Sequence, residues 1–521
     1  MIGARFGADL LAALGTDPVF DQLLGAELID QVQFTPVAEY AFRHPLIRAV
    51  AYESQLKSGR AEWHRRLATA IQERAPGSVE ENAAQIAEHL ESAGELHEAY
   101  GWHMRAGEWS TNRDIGAAHA SWQRARQVAD LLPGGDPDRT AMRIAPRALL
   151  CGHSWRAGGA SIADTCFDEL RELCTAAGDQ ISLVMGTSGV LVAMSLNDRL
   201  RELQSMAPEY VRLLESTGDP ALILLLNTVT FGTFKAGDVA RTLPLFQRAI
   251  DVADGDPILG NFFFESPLAW VTTLRGLARC SLGQPGWRDD LQTGLAMARE
   301  VQGVTQAAVT TYGYTMVLMN GAMAPDATTL RNSADALRAA ERSGDDTSLA
   351  WKRVSHGIML IRLPDGDKAA GIDLLAKGRQ HAFRRGDLLT VTMADIQTAE
   401  WKADTGDVDA AIEIAGATVE HVFDCGEAIF RGPASAVLVE SLLRRGTEND
   451  LREAQHVIDR LAASPADPGF VLYELPLLRL RALMARARND QQAYREFAQR
   501  YREMAKTLGF KGHTARAEAL T

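Results

Sequence analysis

The stretch Gly406-Asp-Val-Asp-Ala-Ala-Ile-Glu-Ile-Ala-Gly-Ala-Thr-Val-Glu-His-Val422 holds both the punctuation and the period of the whole chain. Glycine takes the left-handed conformation that ends one helix, and aspartate accepts the free N–H groups that open the next. Behind that pair the apolar positions run Val408, Ala411, Ile412, Ala415, Val419 and Val422. This i, i+3/i+4, i+7 spacing is the one-sided stripe of a helix and not the alternation of a strand. A second copy of the pattern follows Gly237-Asp238, with Val239, Leu243, Phe246, Ala249, Ile250 and Ala253.

Working outward, the dipeptide recurs at Gly135-Asp136, Gly178-Asp179, Gly218-Asp219, Gly255-Asp256, Gly344-Asp345, Gly366-Asp367 and Gly386-Asp387. From 344 to 406 the steps are 22, 20 and 20 residues. Such a step fits one helix of about 15 residues and a short turn, which is one arm of a helical hairpin. Paired arms give a unit of the size of tetratricopeptide and related α-solenoid repeats. Ala118-x3-Trp122-x2-Ala125 has the small-large-small spacing of a packing helix in such a repeat. Thr242, where an alanine is expected ahead of Phe246, marks the array as TPR-like and not consensus. Aromatic and Met positions are expected in the core, with some of them open to a groove.

Residues 1–75 break the rhythm. Asp9–Leu14 and Val19–Leu28 read as short helices. Gln31–Phe34, a Thr35-Pro36 turn and Ala38–Phe42 read as a β-hairpin. Pro45 then opens a helix carrying Leu46, Val50 and Leu56, and another helix starts near Arg60. Helices with a β-wing suggest a winged-helix-like module. The expected fold class is therefore all-α, a TPR-like α-solenoid with this module at residues 1–75 and helical repeats over 76–260 and 261–521.

The length of 521 residues exceeds what one core supports, about 250–300 residues, so an array growing along one axis is expected. No apolar run reaches the ~18 residues of a membrane span. Five cysteines without a CxxC pair indicate free thiols of a cytoplasmic protein. A net charge of −13 disfavours a coat for nucleic acid.

The run Tyr40-Ala-Phe-Arg-His-Pro-Leu-Ile-Arg-Ala-Val-Ala-Tyr52, followed by Arg60-x3-His64-x2-Leu67-Ala68, resembles the end of the ATPase module in STAND-type signalling proteins. Among these it is most similar to actinobacterial proteins joining a class III adenylate cyclase, such an ATPase and a TPR-like tail. LuxR-type ATPase regulators are relatives. Asn82–Leu90, Ala99–Ala106, Arg171–Asp179 and Pro285–Asp290 look like that tail. The resemblance implies a C-terminal portion of such a protein, beginning inside the ATPase module. It also implies a non-catalytic regulatory role: the array binds a protein partner, whether a nucleotide-switch ATPase, a cyclase module or an upstream signalling protein. His44 resembles the histidine of the MHD-type motif, with Pro45 where that motif often has aspartate. That match implies an ADP sensor working with a nucleotide domain on another chain; the plainer reading is a residue closing the hairpin-to-helix junction.

Catalytic signatures are missing from the sequence. No GxxxxGK[ST] loop is present to cradle a triphosphate, and no HExxH or GxSxG occurs. No enzyme activity, cofactor or metal is expected. Six histidines crowd the first quarter (His44, His64, His89, His97, His103, His119) without ligand spacing, and Asp289-Asp290 and Asp345-Asp346 read as caps or turn residues. The basic stretch holding Arg43, Arg48, Arg60, Arg65 and Arg66 is a docking face for the nucleotide domain or, alternatively, a DNA face of a transcription regulator.

Overall fold

The computed structural model describes residues 3–16, 19–35, 37–74, 76–111, 113–157, 166–301, 303–343, 345–464 and 467–520. Pro36 of the expected turn and Gly344 of one Gly-Asp pair lie outside them. The described chain is dominated by helix, with one small three-stranded sheet. It divides into two compact units, Met1–Leu150 with Asp168–Gly178, and Cys151–Phe167 with Asp179–Thr521. The sequence divisions at 75 and 260 fall inside these units.

In the smaller unit β1 (Arg5–Gly7), β2 (Ile29–Gln33) and β3 (Glu39–Phe42) form an antiparallel sheet in the order β1-β3-β2. β2 and β3 are the hairpin read from the sequence, and β1 is an addition too short to carry a period. Phe20 stacks on Tyr40 at 4.0 Å between ring centres, joining a short helix to the sheet. Leu10 and Leu14 pack with Leu67, Ile71, Ile86 and Leu90, so the N-terminal segment shares a core with the first hairpins. Further along, Ala118, Trp122 and Ala125 are buried, as the small-large-small spacing requires. The indole of Trp122 lies where a Cβ on Gly107 would sit, only 2.1 Å from it, so glycine permits the close helix crossing.

The larger unit repeats one hairpin: Asp346–Arg362 with Lys368–Arg384, Leu388–Asp404 with Val408–Asp424, Arg431–Arg445 with Glu448–Ala462, and Val471–Ala487 with Gln491–Leu508. First arms also touch the next first arms, which forms an inner layer. The arms differ accordingly: Leu388–Asp404 buries residues all round, whereas Glu448–Ala462 buries one stripe of Ala454, Val457, Ile458 and Leu461. Gly386-Asp387 works as expected. Gly386 is left-handed (φ 73), the N–H of Asp387 returns to Ala382 O, and the Asp387 carboxylate accepts from Thr390 N–H at 3.1 Å. Asp238 and Asp407 make no side-chain cap bond, so at those steps the pair turns the chain without capping. Trp155, Phe264, Trp270, Tyr312 and Trp351 are buried in the core and in mutual ring contact, whereas Phe34 and Phe383 are exposed.

Candidate functional site

Pro45 and His44 start the helix Pro45–Glu53. Proline occupies the first turn, where its missing N–H costs nothing, and His44 Nδ1 accepts from the Leu46 N–H at 3.2 Å. This helix buries none of its residues. Leu46, Val50 and, just beyond, Leu56 are 67%, 68% and 80% exposed. Leu46 and Val50 are one turn apart and lie on one face. Elsewhere on the same unit an apolar cavity of about 270 Å³ is lined by Phe6, Leu11, Leu14, Phe42, Trp63 and Leu67.

The arginines around this helix are largely committed. Arg43 pairs with Glu27 and with Asp30 at 3.0 Å, and Arg65 pairs with Glu62 and Glu95 at 2.6 Å each. Arg66 donates to Leu14 O and lies over the Trp63 ring, while Arg60 lies over Tyr52. Arg48 is exposed and has no ion pair among the described residues. The five arginines are thus not one free basic face. His44 is exposed beside Arg43, and its Nδ1 is already used as a cap. The other first-quarter histidines have local partners. His64 bonds Tyr52 and His89 at 3.1 Å each, His103 meets Glu91 at 3.2 Å, and exposed His97 meets Asp136 at 2.7 Å.

The larger unit carries a second surface. A cavity of about 210 Å³ opens on the inner layer of first arms. Arg362 binds Glu400 at 2.7 Å, Arg516 reaches the other Glu400 oxygen at 3.3 Å, and Arg479 grips Glu440 with two bonds. Arg444 donates to Ala403 O and to Asp404 at 3.3 Å. Burial opposes the charge on Glu400, yet Arg362, Arg516 and Arg479 hold its carboxyl below the ordinary glutamate value. Ser441 in the lining donates back to Val437 O at 2.8 Å. The cavity is thus lined by charges of both signs, paired with one another across the hairpins.

Sequence reasoning missed this groove because its arginines come from different hairpins. It missed Asp290 as well: rather than a cap, Asp290 is buried and binds Arg275 at 2.6 Å and Arg279 at 2.8 Å. Asp345 does cap its helix, accepting from Ser348 N–H. No helix among the described residues is long and apolar enough to cross a membrane. No family model matches the chain, and no curated protein matches it.

Proposed function

We propose that the chain is a non-catalytic regulatory module of a cytoplasmic signalling protein, related to adenylate cyclase–ATPases, that binds protein partners. The winged-helix-like segment docks a nucleotide-switch module, and the TPR-like array offers its arginine- and glutamate-lined groove to the regulator. The observation that carries this reading is the exposed apolar pair Leu46 and Val50, one turn apart on a helix that buries none of its residues. Two large apolar side chains on one face of a helix that buries nothing mark an interaction surface. In such a complex His44 sits at the docked face and contacts the bound nucleotide.

The second reading, duplex DNA binding, is disfavoured by the ion pairs that occupy Arg43 and Arg65, since phosphate contacts need free cations. Titration calorimetry with a separately expressed STAND-type ATPase module tests the proposal. Binding is expected, and the double change Leu46→Asp, Val50→Asp should abolish it while leaving the melting temperature within a degree or two. Equal binding by the double variant overturns the docking assignment. Salt-dependent binding to duplex DNA, with none to the ATPase module, favours the second reading instead.

A further inference from the structure

Asp198, His421 and Cys425 bring three potential ligand atoms, one oxygen, one nitrogen and one sulfur, within 4.8 Å of one another. We propose that they form a transition-metal site of the zinc class, which staples two distant parts of the larger unit.

Each ligand is placed by local structure. Asp198 follows the helix Gln180–Leu196 in a left-handed turn (φ 54), with the next N–H, that of Arg199, returning to Met194 O. Aspartate is among the few residues with a side chain that accept this conformation readily. His421 and Cys425 are one turn apart at the end of Val408–Asp424, so both face the same side. The spacing His-x3-Cys is that of a paired metal ligand on one helical turn. His421 Nε2 stands 2.8 Å from Asp198 Oδ2 across 223 residues of sequence. Donors in a tetrahedral zinc shell lie about 3.2–3.8 Å apart, so a small side-chain rotation admits the ion.

An outer shell is already in place. Lys235 Nζ donates to Asp198 Oδ1 at 2.6 Å and to Ser195 O at 2.6 Å. That leaves Oδ2 as the ligating oxygen and fixes its direction, as outer partners of metal ligands do. Cys425 Sγ makes a long contact, 3.8 Å, to Val422 O and takes a backbone hydrogen bond from Glu427, neither of which blocks ligation by a sulfur lone pair. Asp198 is 2% exposed and His421 36% exposed, which provides a solvent path and room for water as the fourth ligand. The mixed oxygen, nitrogen and sulfur donor set suits zinc and its spectroscopic stand-in, cobalt(II). On binding, the thiol proton leaves to solvent as the sulfur–metal bond forms, and the proton that His421 Nε2 holds toward Asp198 Oδ2 leaves that nitrogen, so that its lone pair reaches the metal.

The test is titration of the full, metal-stripped chain with Co²⁺. The expected result is a thiolate-to-cobalt charge-transfer band that saturates with one ion per chain and is bleached by Zn²⁺. Cys425→Ser should remove the band although Cys151, Cys166, Cys174 and Cys280 remain. His421→Ala should weaken cobalt binding by more than the roughly 100-fold that loss of an outer-shell partner costs. No band in the unaltered chain, or the same band in Cys425→Ser, overturns the proposal. Should the variants fail to fold, alkylation of Cys425 in the unaltered chain decides: Zn²⁺ slows it if the site exists, and an unchanged rate overturns the site.

Discussion

Asp387 and Asp407 occupy the same place in the same Gly-Asp step, yet they do different work. Asp387 is buried and accepts from Thr390 N–H, from Thr390 Oγ1 at 2.7 Å and from Trp351 Nε1 at 2.6 Å. Asp407 is exposed, and its carboxylate accepts from Lys402 at 2.8 Å. Asp387→Ala removes a cap, worth about 1 kcal/mol, and strands a buried indole N–H, at about 1–3 kcal/mol. Denaturant unfolding should therefore report a loss of roughly 2–4 kcal/mol for Asp387→Ala. Asp407→Ala should stay within about 0.5 kcal/mol. Equal losses would mean that the pair matters for its turn and not for its cap. The sequence announced both aspartates alike, because burial by a neighbouring hairpin leaves no local mark.

Buried histidines give a pH dependence at the same scale. Burial holds His513 down at about 3, and its Nε2 donates to Asn320 O while Nδ1 accepts from Tyr501. Burial and, next, His64 hold His89 at about 4. Both therefore stay neutral in the folded chain at pH values where the unfolded chain, near 6.5, takes up a proton. Their contribution is present above about pH 6.5 and is lost as pH falls toward 4, at about 1.4 kcal/mol per pH unit for each group. Melting temperature should drop between pH 7 and pH 5, and His513→Gln should flatten that slope. An identical slope in the variant contradicts the assignment of His513.

At the scale of elements, stripes were legible and neighbours were not. The stripe after Gly237-Asp238 became the helix Val239–Ala253, with Val239, Phe246, Ala249 and Ala253 buried. Thr242, the apparent misfit, is also buried, because its hydroxyl donates back to Val239 O at 3.0 Å. Pro208, Pro244 and Pro476 lie inside helices, where local rules place breaks. Packing of adjacent hairpins carries those helices through. The N-terminal hairpin was legible from its alternation, but the exposure of Leu46 and Val50 was not. A stripe looks the same whether it faces a core or a partner. For that reason substitution of both by aspartate should leave the fold intact, an outcome that thermal unfolding checks directly.

At the scale of the molecule, repetition and punctuation pointed to an all-α array, and long-range chemistry stayed hidden. Asp198 and His421 are 223 residues apart, and Arg362 meets Glu400 from a separate hairpin, so no spacing in the sequence links them. The proposed function has the chain dock a nucleotide-switch module on its N-terminal face. Hydrogen–deuterium exchange of the full chain, with and without a separately expressed STAND-type ATPase module, tests it most directly. Exchange should slow over the helix Pro45–Glu53 and onward through Leu56, with the core helices unchanged. Protection that spares this helix, or no protection anywhere, would contradict it.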